Sequence, residues 1–289
     1  MTTAAQWVEG ARPRTLPAAL SPVLIGTGAA VAAGGFRPAR ALLALVVALA
    51  LQVGVNYAND YSDGIRGTDA DRVGPLRLVG SGVARPEAVR AAALAAFAIA
   101  AVAGLVLAFL TTLLLLIVGV LAIAAAWGYT GGTNPYGYRG LGEISVFVFF
   151  GLVGVLGTTY VQVEHLTLLA LAGGVASGSL ACAILVTNNL RDIPSDRVVG
   201  KQTLAVRLGD ARSRLLYAAL LVVPFVLAVT LVAARPGALL VLLALPLAVG
   251  PLRRVGGGAV GRDLVPVLQQ TGRLQLAYGV LLALGIALL

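Results

Sequence analysis

Two clusters of amide and carboxylate side chains stand at the ends of apolar stretches in this sequence. The first lies in NYANDYSDGIRGTD, residues 56–69, and the second in NNLRDIPSDRVVGK, residues 188–201. Asn56 and Asp60 are four residues apart, as are Asn188 and Asp192, and the two pairs begin 132 residues apart. Residues three or four apart share one face of a helix, so each cluster is predicted to point its oxygen atoms to one side. The matched pairs indicate an internal repeat.

Asp and Asn oxygen atoms in this arrangement suit Mg²⁺. Proteins usually hold Mg²⁺ through one or two carboxylates together with substrate phosphate and water. Neither cluster contains His or Cys, which disfavours zinc and copper. Carboxylates at membrane depth need a cationic partner. Two such clusters with basic loop residues between them predict a site for one diphosphate, bridged by metal ions and neutralised by Arg and Lys.

The elements that position both clusters are predicted to be membrane helices. The 289 residues are 59% hydrophobic and 11% charged, a composition typical of polytopic membrane proteins. A helix needs about 20 residues to cross the hydrocarbon core. The chain is expected to form one all-α integral membrane domain, residues 1–289, with nine membrane-spanning helices at roughly 16–34, 40–60, 88–109, 112–130, 143–162, 166–190, 213–234, 237–253 and 272–289. The long apolar block from 88 to 127 must reverse direction near Thr111 and Thr112.

Lysine and arginine divide unevenly between the two sides that nine helices define. Of the 21, all but Arg37, Arg40 and Arg235 lie on one side, which the positive-inside rule places in the cytoplasm. This orientation predicts a cytoplasmic N-terminus and an external C-terminus. Of the 12 acidic residues, all but Glu164 lie on the same cytoplasmic side, so the site is predicted there. The net charge of +9 follows from topology and does not indicate a nucleic-acid partner.

Several motifs resemble those of the UbiA superfamily of membrane prenyltransferases. NDYSDGIRGTD, YGYRGLGEISVFVFFG and NNLRDIPSDRVVGKQTLAVRLG carry the resemblance, and the opening ARPRTLPAALSPVLIG is similar to the branch that prenylates 1,4-dihydroxy-2-naphthoate in menaquinone synthesis. The resemblance implies nine helices around a central cavity, two Mg²⁺ ions, a polyprenyl diphosphate donor and an aromatic acid acceptor that loses CO₂. It also implies a bacterial plasma membrane protein surrounded by lipid. One departure is Gly67, where the superfamily pattern has an acid; Asp69 follows two positions later.

The resemblance assigns roles to individual residues. The expected metal ligands and catalytic carboxylates are Asp60 and Asp63 with Asn56 or Asn59, and Asp192 and Asp196 with Asn188. The diphosphate is expected to meet Lys201, the only lysine in the chain, together with Arg72 and Arg197. The role of Asp69 stays open.

The acceptor is expected to need a cation and aromatic neighbours. The candidates are Arg12, Arg14, Arg139, Tyr136 and Tyr138. Tyr57, Tyr61 and Tyr129 lie near the same membrane face, where they either shield a carbocation with their rings or belong to the interfacial aromatic belt. Glu143 either orients Arg139 or forms a structural ion pair.

Three other functions fit parts of the pattern. A cation-coupled secondary transporter also has repeats with intramembrane acids, but its acids lie near the membrane midplane, whereas these lie at helix ends. A CDP-alcohol phosphotransferase uses membrane aspartates in a compact motif with DGxxAR spacing, which this chain lacks. A prenyltransferase with another acceptor, such as 4-hydroxybenzoate or homogentisate, stays open.

Overall fold

The computed structural model describes residues 2–68 and 76–288. Within these ranges the regular structure is helical and contains no β-strand. Besides two short 3₁₀ turns, Pro13–Thr15 and Tyr136–Arg139, eleven helices are formed there: α1 Ala4–Gly10, α2 Pro17–Ala32, α3 Pro38–Ile65, α4 Pro86–Leu110, α5 Leu114–Gly128, α6 Gly142–Val163, α7 Leu168–Val198, α8 Leu204–Leu208, α9 Asp210–Leu231, α10 Pro236–Gly256 and α11 Gly261–Leu288.

Proline residues mark where several of these helices begin. Pro17, Pro38, Pro86 and Pro236 occupy the first positions of α2, α3, α4 and α10. Proline suits this position because its φ is already helical and the first helical N–H has no intrahelical acceptor. The long apolar block breaks where a reversal was predicted, since α4 ends at Leu110 and α5 begins at Leu114, and the two helices contact each other.

Seven helices in the described ranges are long and apolar enough to cross a membrane: α3, α4, α6, α7, α9, α10 and α11. The protein is therefore a multi-pass membrane protein. The expected count of nine is not confirmed by these criteria. The segment Ala4–Thr15 meets α2 at a bend of 50° and forms an eighth span only if both parts are joined. Helix α5 has 15 residues, about 22 Å of helix, which is shorter than a hydrocarbon core of about 30 Å.

Helix α7 is the most buried of these spans and packs against α2, α6, α9 and α11. Glycine allows the closest of these contacts. A Cβ atom on Gly151 of α6 would lie 2.6 Å from the Cα atom of Gly178 on α7, and one on Gly173 would lie 2.5 Å from a side-chain carbon of Ile25 on α2. Small residues at such positions let membrane helices approach one another closely. They bring α7 close to the helices that enclose the cavity.

A cavity of about 390 Å³ lies between α2, α3, α5, α6 and α7. Most of its wall is apolar, with residues such as Val47 and Leu51 from α3 and Phe149 and Phe150 from α6. The segment Phe147–Val153 of α6 has π-helical geometry, a local widening that often occurs beside functional sites. The polar part of the wall comes from the ends of α3 and α7, where the two clusters are found.

Candidate active site

Both polar clusters line the same cavity. The side chains that reach it are Asn56, Asn59 and Asp63 from α3, and Asn188, Asn189, Asp192, Asp196 and Lys201 from α7 and the turn that follows it. Segments more than 100 residues apart in the chain therefore meet at one polar wall, as their parallel spacing predicts. Asp60, the remaining expected ligand, does not line the cavity.

Asp63 is the point at which the two clusters make direct contact. Lys201 Nζ lies 3.6 Å from Asp63 Oδ1, and Arg77 Nη2 lies 3.8 Å from Asp63 Oδ2. The hydroxyl of Tyr138 donates to Asp63 Oδ1 at 2.5 Å. All four side chains line the cavity. The wall thus combines a carboxylate from the first cluster with the lysine that follows the second.

Tyr138 ties the connecting segment to both clusters. Its ring lies 4.4 Å from Lys201 Nζ, measured to the ring centroid, which is a favourable cation–π distance. Its backbone oxygen accepts from the N–H of Gln202 at 2.8 Å. Burial, followed by the negative charge of Asp63, raises the pKa of the Tyr138 hydroxyl above its ordinary value. The hydroxyl therefore stays protonated and acts as a donor to Asp63.

Asp192 is bound by its neighbour in sequence. Arg191 is buried and donates from Nε to Oδ1 at 2.6 Å and from Nη2 to Oδ2 at 2.7 Å. Such paired contacts fix the plane of a carboxylate. Asp196, one helical turn later, accepts from Thr203 Oγ1 at 3.5 Å. Sequence analysis assigned no role to Arg191, although its position next to Asp192 was an available signal.

Asn189 lines the cavity, and its side chain is oriented by a hydrogen bond to Glu143, which does not line the cavity. The side chain of Asn189 donates from Nδ2 to Glu143 Oε1 at 2.9 Å. Glu143 is 7% exposed, and its Oε2 has no hydrogen-bond partner within the described ranges. Arg139, which Glu143 was expected either to orient or to leave for a structural ion pair, is exposed and does not line the cavity. The partner that the structure gives the buried carboxylate is Asn189 on α7.

Asp60 points to the polypeptide backbone of the segment before α4. It is fully buried, and its oxygens accept from the N–H groups of Leu78 at 2.7 Å and Val79 at 3.0 Å. Carboxylates that accept backbone N–H bonds in this way commonly fix loops. The structure therefore gives Asp60 two protein donors instead of a place on the cavity wall, which differs from the expected metal-ligand role.

The remaining members of the first cluster have separate partners. Asn59 Oδ1 accepts from Thr130 Oγ1 at 2.8 Å. Asn56 donates from Nδ2 to the backbone oxygen of Ala11 and to Thr15 Oγ1, both at 2.9 Å. Asn56 is thus engaged with the segment between α1 and α2.

The expected cationic residues separate into two groups. Arg12 lines the cavity, and its Nε and Nη2 are buried without a hydrogen-bond partner among the described residues. Arg14, Arg139 and Arg197 are exposed and are not part of the cavity wall. Arg72 and Asp69 lie outside the described residues. Arg77, which the sequence left without a role, lies on the wall beside Asp63.

The expected tyrosines also separate. Tyr136 lines the cavity and donates its hydroxyl to the backbone oxygen of Ala125 at 2.7 Å. Burial raises the pKa of this hydroxyl above its ordinary value. Tyr129 lines the cavity as well. Tyr57 and Tyr61 do not, because they pack against the tryptophan rings of Trp7 and Trp127.

The donor set fits Mg²⁺ that is bound together with a phosphate ligand. Within residues 2–68 and 76–288, no three His, Cys, Asp or Glu side chains converge as a complete protein site. Mg²⁺ that binds substrate phosphates typically takes one or two protein carboxylates and completes its shell with phosphate and water oxygens. Asp63 with Asn59, and Asp192 and Asp196 with Asn188, offer such partial sets on the cavity wall.

A helical membrane fold whose two amide and carboxylate clusters share one cavity is the arrangement that the sequence predicted for a membrane prenyltransferase. The chain belongs to the UbiA prenyltransferase family, whose model matches residues 19–257. It is 55% identical over 283 residues to the 1,4-dihydroxy-2-naphthoate octaprenyltransferase of Mycobacterium tuberculosis, covering 98% of this chain and 97% of that protein. The Escherichia coli protein of the same name is 45% identical over 222 residues, covering 74% and 72%.

A solved structure shares the fold. The UbiA homologue from Archaeoglobus fulgidus bound to GPP and Mg²⁺ matches with a TM-score of 0.71 at 13% identity, covering 98% of this chain and 100% of that one.

Proposed function

We propose that this protein transfers a polyprenyl group from polyprenyl diphosphate to 1,4-dihydroxy-2-naphthoate, with loss of CO₂, to give demethylmenaquinol. The observation that carries the proposal is the distance of 3.6 Å between Lys201 and Asp63. This contact brings the lysine that follows the second cluster to a carboxylate of the first cluster, at the polar end of an apolar cavity. A prenyl diphosphate requires such a site, with charged groups for the diphosphate and an apolar wall for the chain. The names of relatives at 55% and 45% identity support the naphthoate as acceptor.

The diphosphate occupies the polar wall in this proposal. Asp63 with Asn59 would hold one Mg²⁺ ion, and Asp192 and Asp196 with Asn188 would hold a second. When bound, these ions supply positive charge that makes the diphosphate a better leaving group. Lys201 and Arg77 add fixed positive charge from the protein. Arg72 stays a prediction in the same role, since it lies outside the described residues.

The reaction then needs no protein nucleophile. The allylic C–O bond breaks, and its electron pair leaves with the diphosphate. The electron-rich naphthalenediol ring forms the new C–C bond to the allylic carbon, and departure of the carboxylate as CO₂ restores the aromatic ring. The rings of Tyr129 and Tyr138 on the cavity wall shield positive charge on the prenyl group.

Arg12 is the residue that fits the carboxylate of the acceptor. Of the three arginines that the sequence offered for this role, it is the one that lines the cavity. Its buried Nε and Nη2 donors have no hydrogen-bond partner in the part of the chain that the structure describes. A guanidinium binds a carboxylate through paired N–H bonds, so an acidic acceptor would satisfy both donors.

The apolar wall accommodates the prenyl chain. Side chains from α3, α5 and α6 form most of the cavity surface away from the clusters, among them Val47, Leu51, Leu115, Phe149 and Phe150. A prenyl tail that enters this cavity from the lipid passes from one apolar environment to another, so an apolar wall lets it do so at little cost in free energy. Surrounding lipid meets the outer faces of the same helices.

We also propose that the protein lies in a bacterial plasma membrane with the site on the cytoplasmic side. The distribution of Lys and Arg supports a cytoplasmic N-terminus and an external C-terminus. The division of Lys and Arg was counted for nine crossings, so α2 and α5 would cross the membrane in addition to the seven longer helices.

Product analysis tests the proposal directly. Purified protein is incubated with polyprenyl diphosphate and one of three acceptors: 1,4-dihydroxy-2-naphthoate, 4-hydroxybenzoate or homogentisate. Each reaction is run with Mg²⁺ and with a chelator, and the products are identified by mass. We expect a prenylated, decarboxylated product from the naphthoate, only with Mg²⁺. If the protein prenylated only one of the other acceptors, the assignment of 1,4-dihydroxy-2-naphthoate as the acceptor would be wrong. If it prenylated none of the three, the proposed prenyltransferase activity would be wrong.

A further inference from the structure

The backbone of Arg12 has a conformation that residues with side chains rarely adopt. Its φ of 55° lies in the left-handed region, which is unfavourable for an L-residue because Cβ approaches the following carbonyl oxygen. Such conformations persist where surrounding contacts fix them, and they occur frequently at functional sites. Thr15 Oγ1 donates to the backbone oxygen of Arg12 at 2.9 Å and closes the turn that follows it.

One amide on α3 holds the chain on both sides of Arg12. The Nδ2 atom of Asn56 donates to the backbone oxygen of Ala11 and to Thr15 Oγ1, each at 2.9 Å. Gln52, one helical turn earlier, donates to Thr15 Oγ1 at 3.0 Å and to Asn56 Oδ1 at 3.3 Å. Gln52 and Asn56 are 5% and 4% exposed. A buried, mutually bonded network of this kind specifies one arrangement of the segment.

The hydrogen-bond network around Arg12 satisfies the neighbouring backbone but leaves two donors of the Arg12 side chain without an acceptor. Its Nε and Nη2 are buried and have no acceptor in the described ranges, and the residue lines the cavity. Buried donors without acceptors are unfavourable. The backbone of Arg12 is therefore held in place before any ligand binds, and two of its guanidinium N–H donors are available to bind an anion.

We infer that Asn56 is a positioning residue for Arg12, and that the pair makes the protein select acceptors that carry a carboxylate. The inference deepens the proposed function and rests on it for the identity of the acceptor. It replaces the expected role of Asn56 as a metal ligand. Both ends of the Asn56 amide have protein partners in this network, since Oδ1 accepts from Gln52 and Nδ2 donates to the segment around Arg12.

The substitution Asn56→Asp separates the two roles. Aspartate keeps the size and would bind a metal at least as well, but it cannot donate to Ala11 and Thr15. We expect the KM for 1,4-dihydroxy-2-naphthoate to rise about 10-fold or more. The KM for polyprenyl diphosphate and the Mg²⁺ concentration for half-maximal rate stay unchanged. Asn134→Asp, at an exposed asparagine on the same side of the protein, is the matched control and keeps wild-type values.

Thr15 provides a second, milder pair of variants. Thr15→Val keeps the shape and removes the hydroxyl that bonds Arg12 and Asn56, whereas Thr15→Ser keeps the hydroxyl. We expect the valine variant to reproduce the raised acceptor KM and the serine variant to restore it. This pair decides the question if Asn56→Asp protein fails to fold.

A double-mutant cycle with Arg12→Ala tests whether Asn56 acts through Arg12. The inference predicts that Asn56→Asp has no further effect on acceptor KM in the Arg12→Ala background, because the group it positions is gone. It also predicts little effect on the affinity of the diol that lacks the carboxylate. Additive effects, or a shifted Mg²⁺ requirement with an unchanged acceptor KM, would overturn the inference. The proposed function is judged separately, by whether the wild-type protein forms the prenylated naphthoate at all.

Discussion

At the scale of single residues, Asp63 has the contacts expected of a group that must bind cations. Lys201, Arg77 and the Tyr138 hydroxyl surround its two oxygens. In the absence of other cations these partners offset its charge at the edge of the membrane. In the proposed function, Lys201 would contact the diphosphate from this position, and metal ions held by Asp63 would take its place at the carboxylate.

Replacing Asp63 by Asn should abolish turnover with little effect on folding. The amide keeps the shape of the side chain and an acceptor for Tyr138, but it lacks the charge that holds a cation. We expect kcat to fall by about 100-fold or more, while the purified protein elutes as wild type does. Glu164→Gln, which neutralises an exposed carboxylate bonded to Arg40, is the control. Full activity of Asp63→Asn would remove Asp63 from the metal assignment.

Replacing Lys201 by Ala should mainly weaken donor binding. Its ammonium group interacts with Asp63 and with the Tyr138 ring in the free protein. Loss of a charge-assisted contact to phosphate predicts a KM for polyprenyl diphosphate that rises about 10-fold or more, measured at saturating acceptor. Arg212→Ala removes an exposed cation near the same membrane face and serves as control. An unchanged donor KM for Lys201→Ala would place the lysine outside the diphosphate site.

The sequence predicted that Asp63 and Lys201 would meet at one wall, because their proximity follows from charge and spacing, and the structure places both there; their roles in the reaction stay a prediction. It did not predict the roles of Arg191, Arg77 or the Glu143–Asn189 pair. Each of these depends on the direction of a side chain or on a neighbour from another element. Asp60 shows the same limit: spacing places it beside Asp63, but only the fold brings the N–H groups of Leu78 and Val79 to it.

At the scale of elements, Asp60 connects the end of α3 to the start of α4. Asp60→Asn would lose one of the two acceptor positions used by Leu78 and Val79. Because the group is fully buried, we expect a loss of stability of about 1–3 kcal/mol, seen as a lower Tm and faster proteolysis near residue 78. Asp263→Asn, an exposed site, is the control. A wild-type Tm together with a raised Mg²⁺ requirement would instead support Asp60 as a metal ligand.

The close approach of α6 and α7 predicts a second stability effect. A Cβ atom on Gly151 would lie 2.6 Å from both the backbone oxygen of Gly174 and the Cα atom of Gly178. Since backbone atoms cannot move aside independently, Gly151→Ala should separate the helices and cost about 1–3 kcal/mol, measured as a lower Tm. Gly119→Ala in α5 meets no atom within 4 Å and should leave Tm unchanged or slightly higher. Equal Tm values for both variants would contradict this packing.

At the scale of the whole molecule, hydropathy predicted the positions of the helices but not the lengths of all of them. The apolar stretches at roughly 40–60 and 166–190 became α3 and α7, which extend to Ile65 and Val198 and carry both clusters. The stretch at 112–130 became a helix of 15 residues, and the first predicted span, 16–34, became α2, which meets the segment Ala4–Thr15 at a bend of 50°. Hydropathy does not predict such helix lengths and bends, because they depend on how the elements pack against one another.

The proposed orientation makes a last prediction, which tests the side on which the site opens. Thr133 lies in the exposed connection between α5 and α6, and His165 lies in the exposed connection between α6 and α7. A single α6 span separates them, so they must face opposite sides. Each of the two residues is replaced by Cys in a Cys182→Ala background, which removes the only native cysteine. The labelling is then carried out on intact cells. A membrane-impermeant maleimide should label His165→Cys at once and Thr133→Cys only after the membrane is opened. Labelling in the reverse order would invert the topology, and labelling of both from outside would show that α6 does not cross the membrane.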